Sequence, residues 1–160
     1  MTNRKGQITD KTRIAAVIGG GVIGGGWAAR FLLNGWKVHI FDSDSDAAPK
    51  IIDVLQNARA SLPLLADTAL PEEGQLVFCD TLEQAASGAH WIQESVPERL
   101  LIKKKVFAAL QNAADRNAII ASSTSGFTPT QLREGASHPD QIIVAHPYNP
   151  VYLLPVVELV

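Results

Sequence analysis

The stretch Ile14-Ala15-Ala16-Val17-Ile18-Gly19-Gly20-Gly21-Val22-Ile23-Gly24 decides the fold. Its first five residues are wholly apolar and carry three β-branched side chains, as suits a parallel strand buried on both faces. Glycines begin where that strand should end, and Gly19, Gly21 and Gly24 satisfy a G-x-G-x-x-G spacing in one register only. In such a turn the first glycine permits the tight bend. The second lets main chain approach a pyrophosphate, and the third lets the next helix pack on the strand. From Ile23 to Leu33 the pattern is helical, with Trp27, Ala28, Phe31 and Leu32 on one face and Asn34-Gly35 as a left-handed stop.

A second strand, Trp36 to Phe41, follows and ends in Asp42, 18 positions after Gly24. An acid at that place accepts hydrogen bonds from the adenosine ribose of a dinucleotide, while the helix N-terminus offers unpaired N–H groups to the phosphates. Gly19, Gly21, Val22, Ile23, Gly24 and Asp42 are therefore the expected cofactor contacts. Asp42, Asp44 and Asp46, with no Lys or Arg between them, would repel a 2′-phosphate. The cofactor expected is NAD and not NADP.

Working outward, Ser45 to Leu62 reads as a helix capped by Ser45 or Asp46, and Pro63 to Gly74 as a loop or short helical excursion. Strands are expected at Leu76–Cys79, His90–Gln93, Ala118–Ser122, Ile142–Ala145 and Val156–Val160, with helices at Leu82–Ala86 and Glu98–Ala114. This alternation predicts an α/β fold, a doubly wound and mostly parallel Rossmann-type sheet with a terminal hairpin, whose chemistry lies beyond the carboxyl ends of the strands.

The 160 residues suffice for one well-buried domain, and 46% hydrophobic with 19% charged residues is ordinary composition. A formal net charge of −2 argues against a nucleic-acid partner, and the Lys103-Lys104-Lys105 run reads as a solvated helix face. One cysteine, Cys79, excludes an internal disulfide and cannot make a metal site unaided. Its flanks suggest a buried strand thiol, and a reducing, cytoplasmic location is expected. Charges interrupt every candidate membrane span.

Three polar clusters follow predicted strand ends and should face one crevice: Glu94-Ser95-Val96-Pro97-Glu98, Ser122-Ser123-Thr124-Ser125-Gly126 and His146-Pro147-Tyr148-Asn149-Pro150. Glu158 then stands inside the last apolar strand, where a carboxylate is costly without a partner. A turn over Pro147 to Pro155 would bring it back beside His146. A carboxylate against an imidazole fixes its tautomer and stabilises its charged form, as a general base requires.

These residues carry a resemblance. Val17-Ile18-Gly19-Gly20-Gly21-Val22-Ile23-Gly24, Gln93 to Leu100, Ser122 to Gly126 and above all His146 to Glu158 resemble the 3-hydroxyacyl-CoA dehydrogenase family, within it the branch of L-carnitine 3-dehydrogenases. The resemblance implies His146 as catalytic base, Glu158 as its orienting acid, and Ser125 and Asn149 as groups holding the reacting oxygen and nearby cofactor or substrate atoms. It places Glu98 and Lys103 against the nicotinamide half. Family members that use CoA commonly carry Phe-Phe where this chain has Pro147-Tyr148, which favours a small substrate, carnitine or a similar 3-hydroxy acid. Tyr148 and Tyr152 are available as aromatic faces for a quaternary ammonium or as hairpin packing. The L-gulonate 3-dehydrogenase and lambda-crystallin branch shares the Ser-x-Thr-Ser and His-Pro-x-Asn-Pro pattern, and a silent NAD-binding module is the alternative from another class. The resemblance further implies that residues 1–160 are the NAD-binding domain of a longer homodimeric protein. Its helical domain, which closes the pocket, would follow Val160.

Overall fold

The computed structural model describes residues 13–160. Six strands run parallel: β1 (Ile14–Ile18), β2 (Lys37–Phe41), β3 (Leu76–Phe78), β4 (Trp91–Glu94), β5 (Ile119–Ser122) and β6 (Ile142–Pro147). A seventh, β7 (Val157–Leu159), pairs antiparallel with β6. The order across the sheet is β3-β2-β1-β4-β5-β6-β7, so successive connections leave β1 in opposite directions and open a crevice between the ends of β1 and β4.

The connecting helices are α1 (Val22–Leu33), α2 (Ala47–Leu65), α3 (Leu82–Ala86), α4 (Leu100–Ala113) and α5 (Pro129–Arg133), with a 3₁₀ turn at Pro139–Gln141. They cover both faces of the sheet, giving two cores. On one side α1 and α2 pack Trp27, Leu32, Ile51 and Leu55 against Val17, Val38 and Ile40. On the other, Phe107 and Leu110 of α4 join Ile18, Ile92, Ile120 and Ile142. β1, with Ala15 to Ile18 all buried, is the doubly covered strand its composition requires. The small Ala15 and Ala16 let the helices approach.

The doubly wound sheet, the hairpin and the order of the main elements agree with the sequence reading. Four details differ. α2 runs past Pro63 to Leu65, because a proline so close to the helix end removes one ladder bond near a terminus while Leu62 stays packed in the core. Asp46 stands at the N-cap of α2 without a side-chain cap; Asp44 Oδ1 instead accepts the Asp46 N–H at 2.9 Å. α5 stands where the sequence reading assigns no element, and Thr128 and Gln131 form a capping box at its start. Cys79 lies half-buried just beyond β3 and not within it. No helix among the described residues is long and apolar enough to cross a membrane.

Candidate active site

At the β1/β4 switch point lies a cavity of about 610 Å³, lined by Gly19, Gly20 and Gly21, by Asp42 and Asp44, and by Ser95, Val96 and Pro97. Its geometry follows from the glycines. Gly19 has φ +96°, in the left-handed region, and its backbone donates to Phe41 O at 2.9 Å, turning the chain sharply off β1. A Cβ on Gly21 would meet nothing within 4 Å, so that position opens onto the cavity. A Cβ on Gly24 would stand 1.8 Å from Gly19 O, so only glycine lets α1 sit this close to the turn. The main-chain N–H groups of Val22, Ile23 and Gly24 form the first turn of α1, ahead of the first helical bond from Gly25 N to Gly21 O at 2.7 Å. Val22 itself is exposed, and the Ile23 side chain packs into the core, so these two residues offer backbone and not side chain.

Asp42 stands at the end of β2 as expected. Its Oδ2 accepts the Gly20 N–H and its Oδ1 the Asp44 N–H at 2.8 Å, which fixes the carboxylate at the cavity wall. Lys50 also lines this cavity, but Asp44 holds its ammonium at 3.0 Å.

Between this cavity and the next lies a buried ionic network. Glu94, 0% exposed at the end of β4, accepts from Lys103 Nζ at 2.7 Å and from the Val96 N–H at 2.8 Å through Oε1, and from Ser122 Oγ at 2.5 Å through Oε2. Burial pushes the Glu94 carboxyl above the usual carboxylate range, and Lys103, Ser122 and the Val96 N–H offset part of that rise. Lys103 also lies 3.1 Å from Glu98 Oε2, and Glu98 Oε1 accepts from Thr124 Oγ1 and from the Gly126 N–H. Desolvation acts to raise the Glu98 carboxyl, but the Thr124 hydroxyl, Lys103 and the Gly126 N–H together hold it below its ordinary value. Lys103 is thus 1% exposed, which corrects its reading as part of a solvated lysine face. It lies on the stripe of α4 that includes Phe107 and Leu110 and points into the protein. Lys104 and Lys105 remain outside that buried stripe.

A second cavity, of about 220 Å³, opens at the ends of β5, β6 and β7 and is lined by Thr124, Ser125, Gly126, His146 and Glu158 among others. The hairpin sets Glu158 directly across from His146. Glu158 Oε2 lies 2.9 Å from His146 Nδ1, and Tyr148 donates its hydroxyl to Glu158 Oε1 at 3.2 Å. His146, then Tyr148, draw the Glu158 carboxyl below its ordinary range. Among the described residues Nε2 of His146 has no hydrogen-bond partner, so the ring is held by one nitrogen and free at the other.

Three expectations about this region need correction. The crevice is two cavities, one at the glycine turn and one at His146, with the Glu94–Lys103 network between them. Glu158 is 57% exposed, because β7 is an edge strand with one neighbour and its side chains stand out of the core. Asn149 is exposed and lines neither cavity, one turn of chain beyond His146. Ser125 is exposed and faces the same cavity as His146. Tyr152 lies away from both, half-buried against the core under α1 and α2.

With the geometry in place, comparison with known proteins is decisive at the level of family. The family model for the 3-hydroxyacyl-CoA dehydrogenase NAD-binding domain matches residues 14–160. The chain belongs to this family. It is 64% identical over 146 residues to an L-carnitine dehydrogenase/betainyl-CoA thioesterase of Ruegeria pomeroyi, an alignment covering 91% of this chain and 30% of that protein. It is 50% identical over 147 residues to an L-carnitine dehydrogenase of Mesorhizobium japonicum, covering 91% of this chain and 40% of the relative. The crystal structure of 5-formyl-3-hydroxy-2-methylpyridine 4-carboxylic acid 5-dehydrogenase, described as an NAD+-dependent dismutase, superposes with TM-score 0.84 at 33% identity. That match covers 92% of this chain and 48% of that one. The chain therefore spans 30–48% of the length of these relatives, and its cofactor, as a member of this family, is NAD.

The sequence reading missed Glu94 as a buried anchor, Ser122 and Thr124 as its companions, and Gly26. A Cβ on Gly26 would come within 2.8 Å of Val151 Cβ, so the segment returning from β6 to β7 rests directly on α1 there. The spacing of Lys103 with Phe107 and Leu110, at i, i+4 and i+7, was the available signal for the burial of Lys103.

Proposed function

We propose that this chain is the NAD-binding part of a dehydrogenase that oxidises the 3-hydroxyl group of a small polar substrate, L-carnitine above the alternatives. The observation carrying it is the His146–Glu158 pair at 2.9 Å, in a cavity shared with Ser125 and one strand end away from the glycine turn. The open face at Gly21, the turn at Gly19 and the fixed Asp42 carboxylate fit a dinucleotide. NAD, when bound, supplies the hydride acceptor.

The protein's own part is positioning and proton transfer. His146 takes the hydroxyl proton at Nε2 while Glu158 holds Nδ1–H, which fixes the tautomer and offsets the charge the ring gains. Ser125 hydrogen-bonds the same oxygen. Glu158 acts through His146 and does not touch substrate. Glu98, with its side chain 43% exposed, is the member of the network offered to the nicotinamide half, and Lys103, 1% exposed, holds it from behind at 3.1 Å. Domain organisation follows the same logic: residues 1–160 form the nucleotide-binding domain, and a helical domain in the longer protein closes the substrate pocket and makes the dimer.

Carnitine is favoured by the names of the relatives just described and by Tyr148, whose ring lies 6.0 Å from that of His146 and is 44% exposed, a face available to a quaternary ammonium. The test is turnover of carnitine and of gulonate by the full-length protein, wild type and His146→Gln. Carnitine should be the better substrate, and His146→Gln should lose about a hundred- to ten-thousand-fold in kcat with NAD affinity kept. Unchanged kcat in the variant removes His146 from the chemistry. NAD binding without oxidation of either alcohol supports the silent module.

A further inference from the structure

Glu94 is an unusual residue to bury. It sits at the end of a central strand, 0% exposed, and its two oxygens go to different places. Oε1 accepts from the Val96 N–H, in the wall of the cavity at the glycine turn. Oε2 accepts from Ser122 Oγ, which in turn accepts the Thr124 N–H at 3.3 Å, at the root of the loop that carries Ser125. The same Oε1 holds Lys103, and through Lys103 and Glu98 reaches Thr124 Oγ1 and the Gly126 N–H. One carboxylate thus grips both walls, by two routes to the second.

We infer that Glu94 is a positioning residue that couples the two cavities: a ligand seated at the glycine turn is felt, through Val96 and Glu94, by the Thr124-Ser125-Gly126 loop beside His146. The inference rests on the cavity at the glycine turn being the dinucleotide site. Both oxygens are needed, because only a carboxylate can accept from the Val96 N–H and Lys103 on one side and from Ser122 Oγ on the other. A glutamine has one acceptor oxygen. Set toward Val96 and Lys103, it loses the charge that holds Lys103, and its amide reverses the bond to Ser122, whose hydroxyl must then accept from both the amide and the Thr124 N–H. Turned round, its amide meets the Val96 N–H and Lys103 as donor against donors. A chain of packed, discretely bonded groups of this kind is the physical substance that coupling between neighbouring sites requires. A parallel contact joins the same strands, Ser95 Oγ to Ser123 Oγ at 2.8 Å; it continues through Gln93 Nε2, which donates to Ser123 Oγ at 2.8 Å and to Ala145 O at 3.4 Å, and so runs to β6 and not to the Ser125 loop.

The experiment uses ADP, which fills the adenosine and pyrophosphate positions and carries no nicotinamide to touch the second cavity directly. ADP is titrated into the isotopically labelled 160-residue chain, and the backbone amides of Ser125 and Gly126 are followed by NMR. In the wild type these amides shift with ADP occupancy. In Glu94→Gln they should keep less than about half of that shift at saturating ADP, while ADP affinity stays within a few-fold. Ser122→Ala, which removes one route and leaves Lys103 in place, should give an intermediate loss. Ser123→Ala should keep most of the response. Loop amides that stay silent in the wild type, or that respond fully in Glu94→Gln, overturn the coupling alone. Loss of the response in Ser123→Ala with its retention in Glu94→Gln transfers the role to the parallel contact. No binding of ADP at all removes both the coupling and the dinucleotide site on which it rests.

Discussion

Replacing Lys103 with methionine tests whether the buried ion pair is real, since methionine keeps most of the stem and deletes the charge. The variant leaves Glu94 buried with the Ser122 hydroxyl and the Val96 N–H as its partners. Removing one member of a buried pair commonly costs about 3–5 kcal/mol. Here the cost has a ceiling, because the stranded carboxyl can take up a proton. With an ordinary glutamate pKa of about 4.3 and about 1.36 kcal/mol per unit, neutralising it costs about 3.7 kcal/mol at pH 7 and about 1.0 at pH 5. The sign follows from the raised carboxyl. A group whose folded pKa lies above its unfolded one gives stability below the unfolded pKa and loses it as pH rises toward the folded value. Glu98, losing Lys103, moves the difference between variant and wild type the same way. Urea unfolding followed by the fluorescence of the three tryptophans should therefore show Lys103→Met less stable than wild type by about 3 kcal/mol at pH 7, with about 2 kcal/mol of that difference recovered at pH 5. The double variant Lys103→Met/Glu94→Gln should lose most of this pH dependence. A deficit under about 1 kcal/mol at pH 7, or one that does not shrink with acid, refutes the network as an ionic one.

At Gly24 the added methyl of Gly24→Ala would collide with Gly19 O, so the turn must open; calorimetry should show NAD affinity down by at least about tenfold, about 1.4 kcal/mol, in a chain that still folds. Asp42→Asn keeps one acceptor where two are used, and removes the charge that opposes a 2′-phosphate, so the ratio of NAD to NADP affinity should fall. Tyr148→Phe deletes a donor to Glu158. Because that donor and His146 both lower the Glu158 carboxyl, its pKa should rise in Tyr148→Phe and rise further in His146→Gln, read from the carboxyl carbon by NMR titration. The contribution of Glu158 is present above the ordinary carboxylate range and fades as pH falls through its lowered pKa.

Much of this was legible from residue order. β1 and the glycine turn are written in an apolar run followed by a spacing that only one register satisfies, and the hairpin was implied by Glu158, a lone charge in an apolar strand that needed a partner 12 positions back. What escaped reading falls into two kinds. α5 has five residues, too few for any helical period to show, and only its Thr128–Gln131 cap marks it. Lys103 and Glu94 escaped because a lysine run and an acid after a strand both resemble surface, and their burial depends on each other across a sheet and a helix. Pairwise compensation between residues 9 apart on different elements leaves no periodic trace. The division into two cavities is of the same kind, being set by that hidden pair.

Gly26 offers a lesson for anyone shaping this scaffold. Glycine in the middle of a helix is poor for helix stability, by roughly 1 kcal/mol against alanine, so a stabilisation campaign would convert it first. Yet the gap it leaves is where Val151 rests, and the strap between Pro147 and Val157 hangs from that contact. An alanine there would gain helix propensity and lift the strap, moving Tyr148 and Asn149 from the far side of the sheet. Tolerance maps should show a sharp penalty at a position that no ligand ever meets.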